Sequence, residues 1–235
     1  MSENKRTPTP EQVSLEELHA AYAALLYHVL LLEARWSAHQ TLFGQQSTFE
    51  LLHDAAHEFF DFLEHMSLDT AQLCLLMVAD PATSSSNRNG DRKRVPNLTF
   101  RWFEAQLKYH TLPYEGLSAH IEAVEAAVAT FRDRRNWRIA HADLATHLDT
   151  AQQFNASREQ INRALDSVRL ALHELAHVLG EQEYDTIDPP LAGDANALLL
   201  ALRKARYFDD QLSAGNIDVD TAMKYIGPTS LYPNG

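Results

Sequence analysis

Apolar positions recur three and four residues apart over long stretches of the chain, the spacing of one buried helix face. Leu15, Leu18, Tyr22, Leu25, Val29, Leu32 and Trp36 make the first stripe, and Gly44 closes it. It opens at a capping box in which Ser14 and Glu17 satisfy the first free N–H groups. Ser47 and Glu50 read as a second box, ahead of Phe49, Leu52, Ala56, Phe59 and Leu63. The run LCLLMVA (73–79) is apolar on every side and predicts a central, buried helix that Asp80-Pro81 stops. Residues 82–96 carry Ser, Asn, Gly and basic residues without periodicity, which predicts a loop. Asn97 and Thr99 offer caps for a short helix with Leu98, Trp102 and Leu107, and Pro113 and Gly116 turn the chain. Leu117, Ile121, Val124, Val128 and Phe131 resume the stripe. Ser157 with Gln160 opens a helix bearing Ile161, Leu165, Val168, Leu172, Leu175 and Leu179. Pro189, Pro190 and Gly193 separate it from a last helix at about 194–212.

No strand-length alternation of β-branched residues interrupts these stripes. The expected fold is all-α: a helical bundle with a C-terminal helical extension. Residues 1–12, polar with two prolines, read as a disordered lead-in, 13–183 as the bundle, and 184–235 as the extension and tail. The chain has 235 residues, of which 45% are hydrophobic, enough for one sizeable core.

Charge and cysteine usage narrow the function. The 32 acidic residues outweigh 20 Lys and Arg, for a net charge of -12, which argues against coating nucleic acid or anionic membrane over the whole surface. It leaves room for a local basic site. A single cysteine, Cys74, excludes an internal disulfide and a Cys-based zinc site, and its apolar surroundings suggest an inert core position. The first residues lack an apolar signal region, and AALLYHVLLL (23–32) is shorter than the roughly 20 residues that span a bilayer. A soluble, cytoplasmic protein without a membrane partner is expected.

The stretch FRDRRNWRIAHADL (131–144) breaks the pattern. Extending the stripe four residues beyond Phe131 lands on Arg135, and a guanidinium on a core-facing line costs several kcal/mol unless it is paired or lines a wet cavity. Arg132, Arg134 and Arg138 add positive charge, with Trp137 among them as a candidate stacking surface for a base. His141 follows Arg135 by six residues, with Asn136 after the Arg and Asp143 beyond the His. The full form Arg-Asn/Asp-x-x-x-Ala-His arises by chance about 0.01 times in such a composition.

This segment resembles the HEPN superfamily, whose motif is Arg, four to six residues, then His, often with Asn or Asp after the Arg. LLMVADPA (75–82) followed by NLTFRWFEAQL (97–107) looks like the abortive-infection, AbiU-like branch. The resemblance covers 15–182. It implies a helical bundle that dimerises and, in many members, a metal-independent endoribonuclease needing no cofactor, with both subunits' Arg and His in one cleft. On that reading Arg135 stabilises phosphate charge, His141 moves the proton as a 2′-hydroxyl attacks, and Asn136 orients the phosphate or the His. Arg134, Arg138 and Trp137 contact RNA, with tRNA a candidate, and an antitoxin protein is a further candidate partner. On a straight helix Arg135 and His141 lie about 120° apart, a gap that the long Arg, a helix break or a partner subunit must close. The tyrosine two residues after His that some HEPN toxins use for antitoxin control is absent, Asp143 standing there instead.

Two other classes compete. HELAHVLG (173–180) contains His-Glu-x-x-His, which on a helix sets His173 and His177 on one face with Glu174 as general base of a zinc peptidase. Glu183 stands where some such enzymes put a third ligand, and TAMKY (221–225) resembles their Met-turn. Against this, Leu172, Leu175 and Leu179 take the core line, leaving both histidines as flanking residues. The other class is a non-catalytic helical protein of the same fold that binds RNA or nucleotides or serves as an interaction protein. His53 and His57 read as boundary histidines, Trp36 and Trp102 as core, and NRNGDRKR (87–94) as a solvated linker or an RNA-contacting loop.

Overall fold

At the first helix start the Ser14 backbone N–H donates to the Glu17 carboxylate at 2.8 Å, and the Glu17 N–H donates to Ser14 Oγ at 3.2 Å. From this box α1 runs as one helix, Leu15–Phe43. The structure, a computed structural model, describes residues 12–88, 91–134, 157–182, 191–218 and 220–221. Among them are seven helices and one two-stranded ribbon: α1, α2 (Gln46–Ala79), β1 (Thr83–Arg88), β2 (Asp91–Pro96), α3 (Phe100–Tyr109), α4 (Glu115–Ala127), α5 (Ala129–Arg134), α6 (Arg158–Leu179) and α7 (Leu191–Ser213). The fold is all-α, as the stripes require. The chain forms two compact units, residues 1–37 with 65–189 and residues 38–64 with 190–235, so the division cuts through α1 and α2.

In the first unit the predicted stripes become the core. Leu18, Tyr22, Leu25, Val29, Leu32 and Trp36 of α1 are buried, as are Leu117, Ile121, Val124, Val128 and Phe131, and Ile161, Leu165, Val168, Leu172 and Leu175 of α6. Each such side chain contributes about 1.5–3 kcal/mol on leaving water. Leu15 stays outside. A stretch of α1 is apolar enough, by length and composition, to cross a membrane, which the run 23–32 alone did not suggest. LCLLMVA is buried only in part: Leu75, Leu76, Val78 and Ala79 face the core, but Met77 is exposed and Cys74 only partly buried. An apolar run exceeds what one helix face can bury, so its surplus faces outward.

Polar pairs tie α1 to α6. Trp36 Nε1 donates to Asn162 Oδ1 at 2.6 Å, and Arg169 reaches the buried Glu33 at 2.6 Å and Asp166 at 2.8 Å. Ser157 and Gln160 form the predicted capping box of α6, and Gly180 ends that helix at φ 69°, where a residue without Cβ is favoured.

The expected loop at 82–96 is instead an antiparallel ribbon, with Thr83 opposite Pro96 and Arg88 opposite Asp91. That register leaves Asn89-Gly90 as the connection, the residue pair that suits the tight turn of a two-residue hairpin. Ser and Arg carry no hydrophobic alternation, so periodicity missed it.

In the second unit Leu42 and Phe43 pack with Leu51, Leu52 and Phe60 of α2 and with Ala195 and Leu199 of α7. Ser47 lies within α2 and does not cap it, since the helix starts at Gln46. The predicted stripe 49, 52, 56, 59, 63 also fails midway. Ala56 has φ -165° and ψ 77°, outside the helical range, and beyond this break Phe60 is buried at 8% exposure while Phe59 is 58% exposed. Phe60, four residues after Ala56 and three before the partly buried Leu63, takes the core position.

Between α1 and α2, Gly44 donates its N–H to the Gln40 carbonyl at 2.8 Å, and a Cβ on Gly44 would collide with that carbonyl oxygen. Gly44→Ala is therefore expected to cost about 1–3 kcal/mol, because backbone must shift. Thermal unfolding checks this, and an unchanged Tm would show that the turn relaxes freely.

Candidate functional site

α4 and α5 deliver the chain to the Arg-His segment. Tyr114 precedes α4, Val128 separates it from α5, and the buried Val128 and Phe131 hold α5 against the core up to Arg134. Arg132 donates from Nη2 to the Ala79 carbonyl at 2.7 Å. That carbonyl is at the C-terminal end of α2, where a cation is favoured. Arg132 is thus an anchor of the segment, and its charge is committed to the fold. Arg134 ends α5. Arg135, Asn136, Trp137, Arg138, His141 and Asp143 lie outside the described residues.

A charged network stands on the same framework. Arg101 forks onto Glu125, with Nε–Oε1 at 2.8 Å and Nη2–Oε2 at 2.7 Å, and reaches Glu104 from Nη1 at 3.0 Å. Glu104 also accepts from Lys108 Nζ at 2.9 Å and Ser118 Oγ at 2.6 Å. Burial pushes the Glu104 carboxyl upward, but the hydrogen bonds from Ser118, Lys108 and Arg101 outweigh it and hold the group below its ordinary value. Glu125 is lowered chiefly by its bond to Arg101, and Arg101 is raised chiefly by its bond to Glu125. Sequence reading passed over these residues, although Arg101, Glu104 and Lys108 sit at the i, i+3 and i+4 helical pair spacings.

The ribbon carries the strongest local basic run that is described. Arg92 stands opposite Asn87, Lys93 opposite Ser86, and Arg94 opposite Ser85, with Arg88 and Asp91 at the closed end. Next to it a cavity of about 400 Å3 is lined by Leu25, Leu32, Val78 and Leu98 together with Arg35 and His28. Cys74 lines this cavity and lies 3.9 Å from Arg35 Nη1, so it is not the enclosed core position expected.

The zinc-peptidase pattern takes a different form. His173 and His177 are exposed on α6, while Glu174 folds inward until its carboxylate lies over Gly116 in the first turn of α4. A carboxylate there complements the N-terminal end of α4. The Glu of HELAH thus packs against the first turn of α4. Trp36 and Trp102 are core, at 3% and 6% exposure, as their stripes predicted. His53 and His57 do meet, their ring centroids 3.7 Å apart, and Asp61 joins them, which pairwise reading of the histidines missed.

The class these observations define is an all-α bundle in which the core-facing stripe 117–131 runs, in sequence, into an Arg-rich segment with Arg-Asn and His. Residues 104–198 match the family model HEPN_AbiU2, described as AbiU2. Across that stretch, less than half of the chain, the protein is similar to the AbiU-like, abortive-infection branch of the HEPN superfamily. The matched residues begin in α3, contain the whole 131–144 segment, and end in α7. No curated protein and no solved structure matches the chain.

Proposed function

We propose that this HEPN protein is a metal-independent endoribonuclease of a phage-defence or toxin-antitoxin type, acting in the cytoplasm. The observation that carries the reading is that the AbiU2 match encloses Arg135, Asn136 and His141 in the motif order of HEPN nucleases. His141 removes the proton from a ribose 2′-hydroxyl as its oxygen attacks the adjacent phosphorus. The bond from phosphorus to the 5′ oxygen breaks, that oxygen takes up a proton, and the products end in a 2′,3′-cyclic phosphate and a 5′-hydroxyl. Arg135 stabilises the charge on the pentacoordinate phosphorus and Asn136 orients it. Arg134, Arg138 and Trp137 hold the RNA strand. A second copy completes the cleft, so that one subunit's His141 serves as base and the other's as acid. Self-association is supported by apolar surface in the second unit, where Phe59, Phe62 and Tyr207 are more than half exposed.

Purified protein incubated with total tRNA in EDTA tests the reading. Discrete fragments ending in cyclic phosphate are expected, and intact tRNA would overturn it. The basic ribbon adds a separate expectation. Replacing Arg92, Lys93 and Arg94 together by Ser should flatten the dependence of log binding constant on log salt by about 2, at roughly 0.7 per lost phosphate contact on a single strand. An unchanged slope would mean that the ribbon does not touch RNA.

The alternative is a non-catalytic protein that binds RNA or a nucleotide. The observation favouring it is the 400 Å3 cavity, lined mostly by apolar side chains with Arg35, His28 and Asp80 among them, which suits a small ligand with an apolar part and a polar group. Tight tRNA binding without cleavage would select it.

A further inference from the structure

We propose that His53, His57 and Asp61 form a binding site for a divalent transition metal that staples the break in α2. An imidazole nitrogen from each histidine and a carboxylate oxygen of Asp61 all lie within 4.8 Å of one another, and among the described residues this is the one group of three His, Cys or acidic ligands so placed. Donors around a tetrahedral zinc stand about 3.3 Å apart, so rotamer adjustments of about 1.5 Å complete the set. The histidine rings already meet at 3.7 Å between centroids, and His57 Nδ1 lies 3.7 Å from Asp61 Oδ2. His57 and Asp61 are 53% and 44% exposed, so an ion enters from solvent and water fills its open position.

The position of the cluster sets it apart from an ordinary surface histidine pair. Ala56, the non-helical residue of α2, falls between the first ligand and the other two. His53 belongs to the turn that sends Leu51 and Leu52 into the core of the second unit. His57 and Asp61 belong to the turns that send Phe60 there. A bound ion therefore links the two helical segments across the non-helical residue, each segment having side chains in the same core. Two imidazoles and one carboxylate select zinc, cobalt, nickel or copper over magnesium and calcium, which prefer all-oxygen sites. This inference is independent of the ribonuclease reading, whose test runs in EDTA.

The experiment titrates the EDTA-stripped full chain with zinc by calorimetry and with cobalt by visible absorption, and follows thermal unfolding at each zinc concentration. It uses a His173→Ala/His177→Ala background so that the second histidine pair cannot contribute. One equivalent of zinc, a rise of Tm with zinc, and affinity at least tenfold weaker in His57→Ala and in Asp61→Asn are expected. Asp54→Asn, on the same helix and paired with Arg206 at 3.3 Å, should bind as the parent does. Undiminished affinity in the two ligand variants, or no binding up to about 1 mM zinc, would overturn the proposal. Circular dichroism of each variant separates a lost ligand from a lost fold.

Discussion

On the proposed ribonuclease reading, His141→Ala is expected to lower cleavage of tRNA in EDTA by about 10²–10⁴-fold, the range that one positioned proton-transfer group supplies. The loss should fall on kcat with little change in KM, because the imidazole acts on the proton in the transition state and adds little to RNA binding. Arg135→Ala should lower kcat by about 10²–10³-fold, since it removes charge stabilisation at phosphorus. Arg135→Lys should recover only part, because a point charge does not reproduce a planar fork on two phosphate oxygens. Combining the two Ala variants should cost much less than the product of the single losses if both residues serve one step. His173→Ala/His177→Ala is the control: both histidines are exposed on α6, and cleavage should stay at the parent level. Loss of cleavage in that control with retention in His141→Ala would move the chemistry to α6 and sink the assignment.

Where the fold was legible, a single rule carried it. The stripes of α1, α4 and α6 could be read because each of these helices buries one face against several partners, so composition follows the three-four spacing closely. The rule failed where its assumption of an unbroken helix failed. At Ala56 the backbone leaves the helical range, which no residue spacing announced, and Phe60 takes the core position in place of Phe59, although both fit a three-four spacing from Ala56. It failed again at 83–96, where the ribbon is held by backbone pairing and the sequence has no apolar alternation to record it.

The candidate site divides in the same way. Arg135 stood out in the sequence as a charge on a line otherwise apolar, and His141 through its spacing from it; both lie outside the described residues. Interactions that join different elements left no such trace: Glu174 over Gly116, Arg132 on the Ala79 carbonyl, and Arg101 on Glu125 each depend on helix packing that no local spacing encodes. HELAH shows the converse. Its spacing is that of a zinc site, while packing commits its Glu to α4.

Arg101→Ala should be the most costly change among the described charged residues. The side chain is 30% exposed and makes three bonds, two to Glu125 and one to Glu104. Breaking a fully buried pair costs about 3–5 kcal/mol, and partial exposure reduces this to about 2–3. Glu104 keeps Lys108 and Ser118, so most of the penalty falls on Glu125. For a chain of this length that is a fall in Tm of roughly 5–10 °C. The double variant Arg101→Ala/Glu125→Ala should be more stable than Arg101→Ala alone, because it removes the stranded carboxylate. The pH dependence has a definite sign. Glu104 and Glu125 have folded-state values below the ordinary 4.5, so their contribution is complete above that value and is lost as pH falls through the lowered ones. The gap in Tm between parent and Arg101→Ala should therefore be widest near neutrality and narrow below pH 4.5. A gap that stayed constant down to pH 3 would mean that Arg101 stabilises by packing its stem, with the two carboxylates incidental.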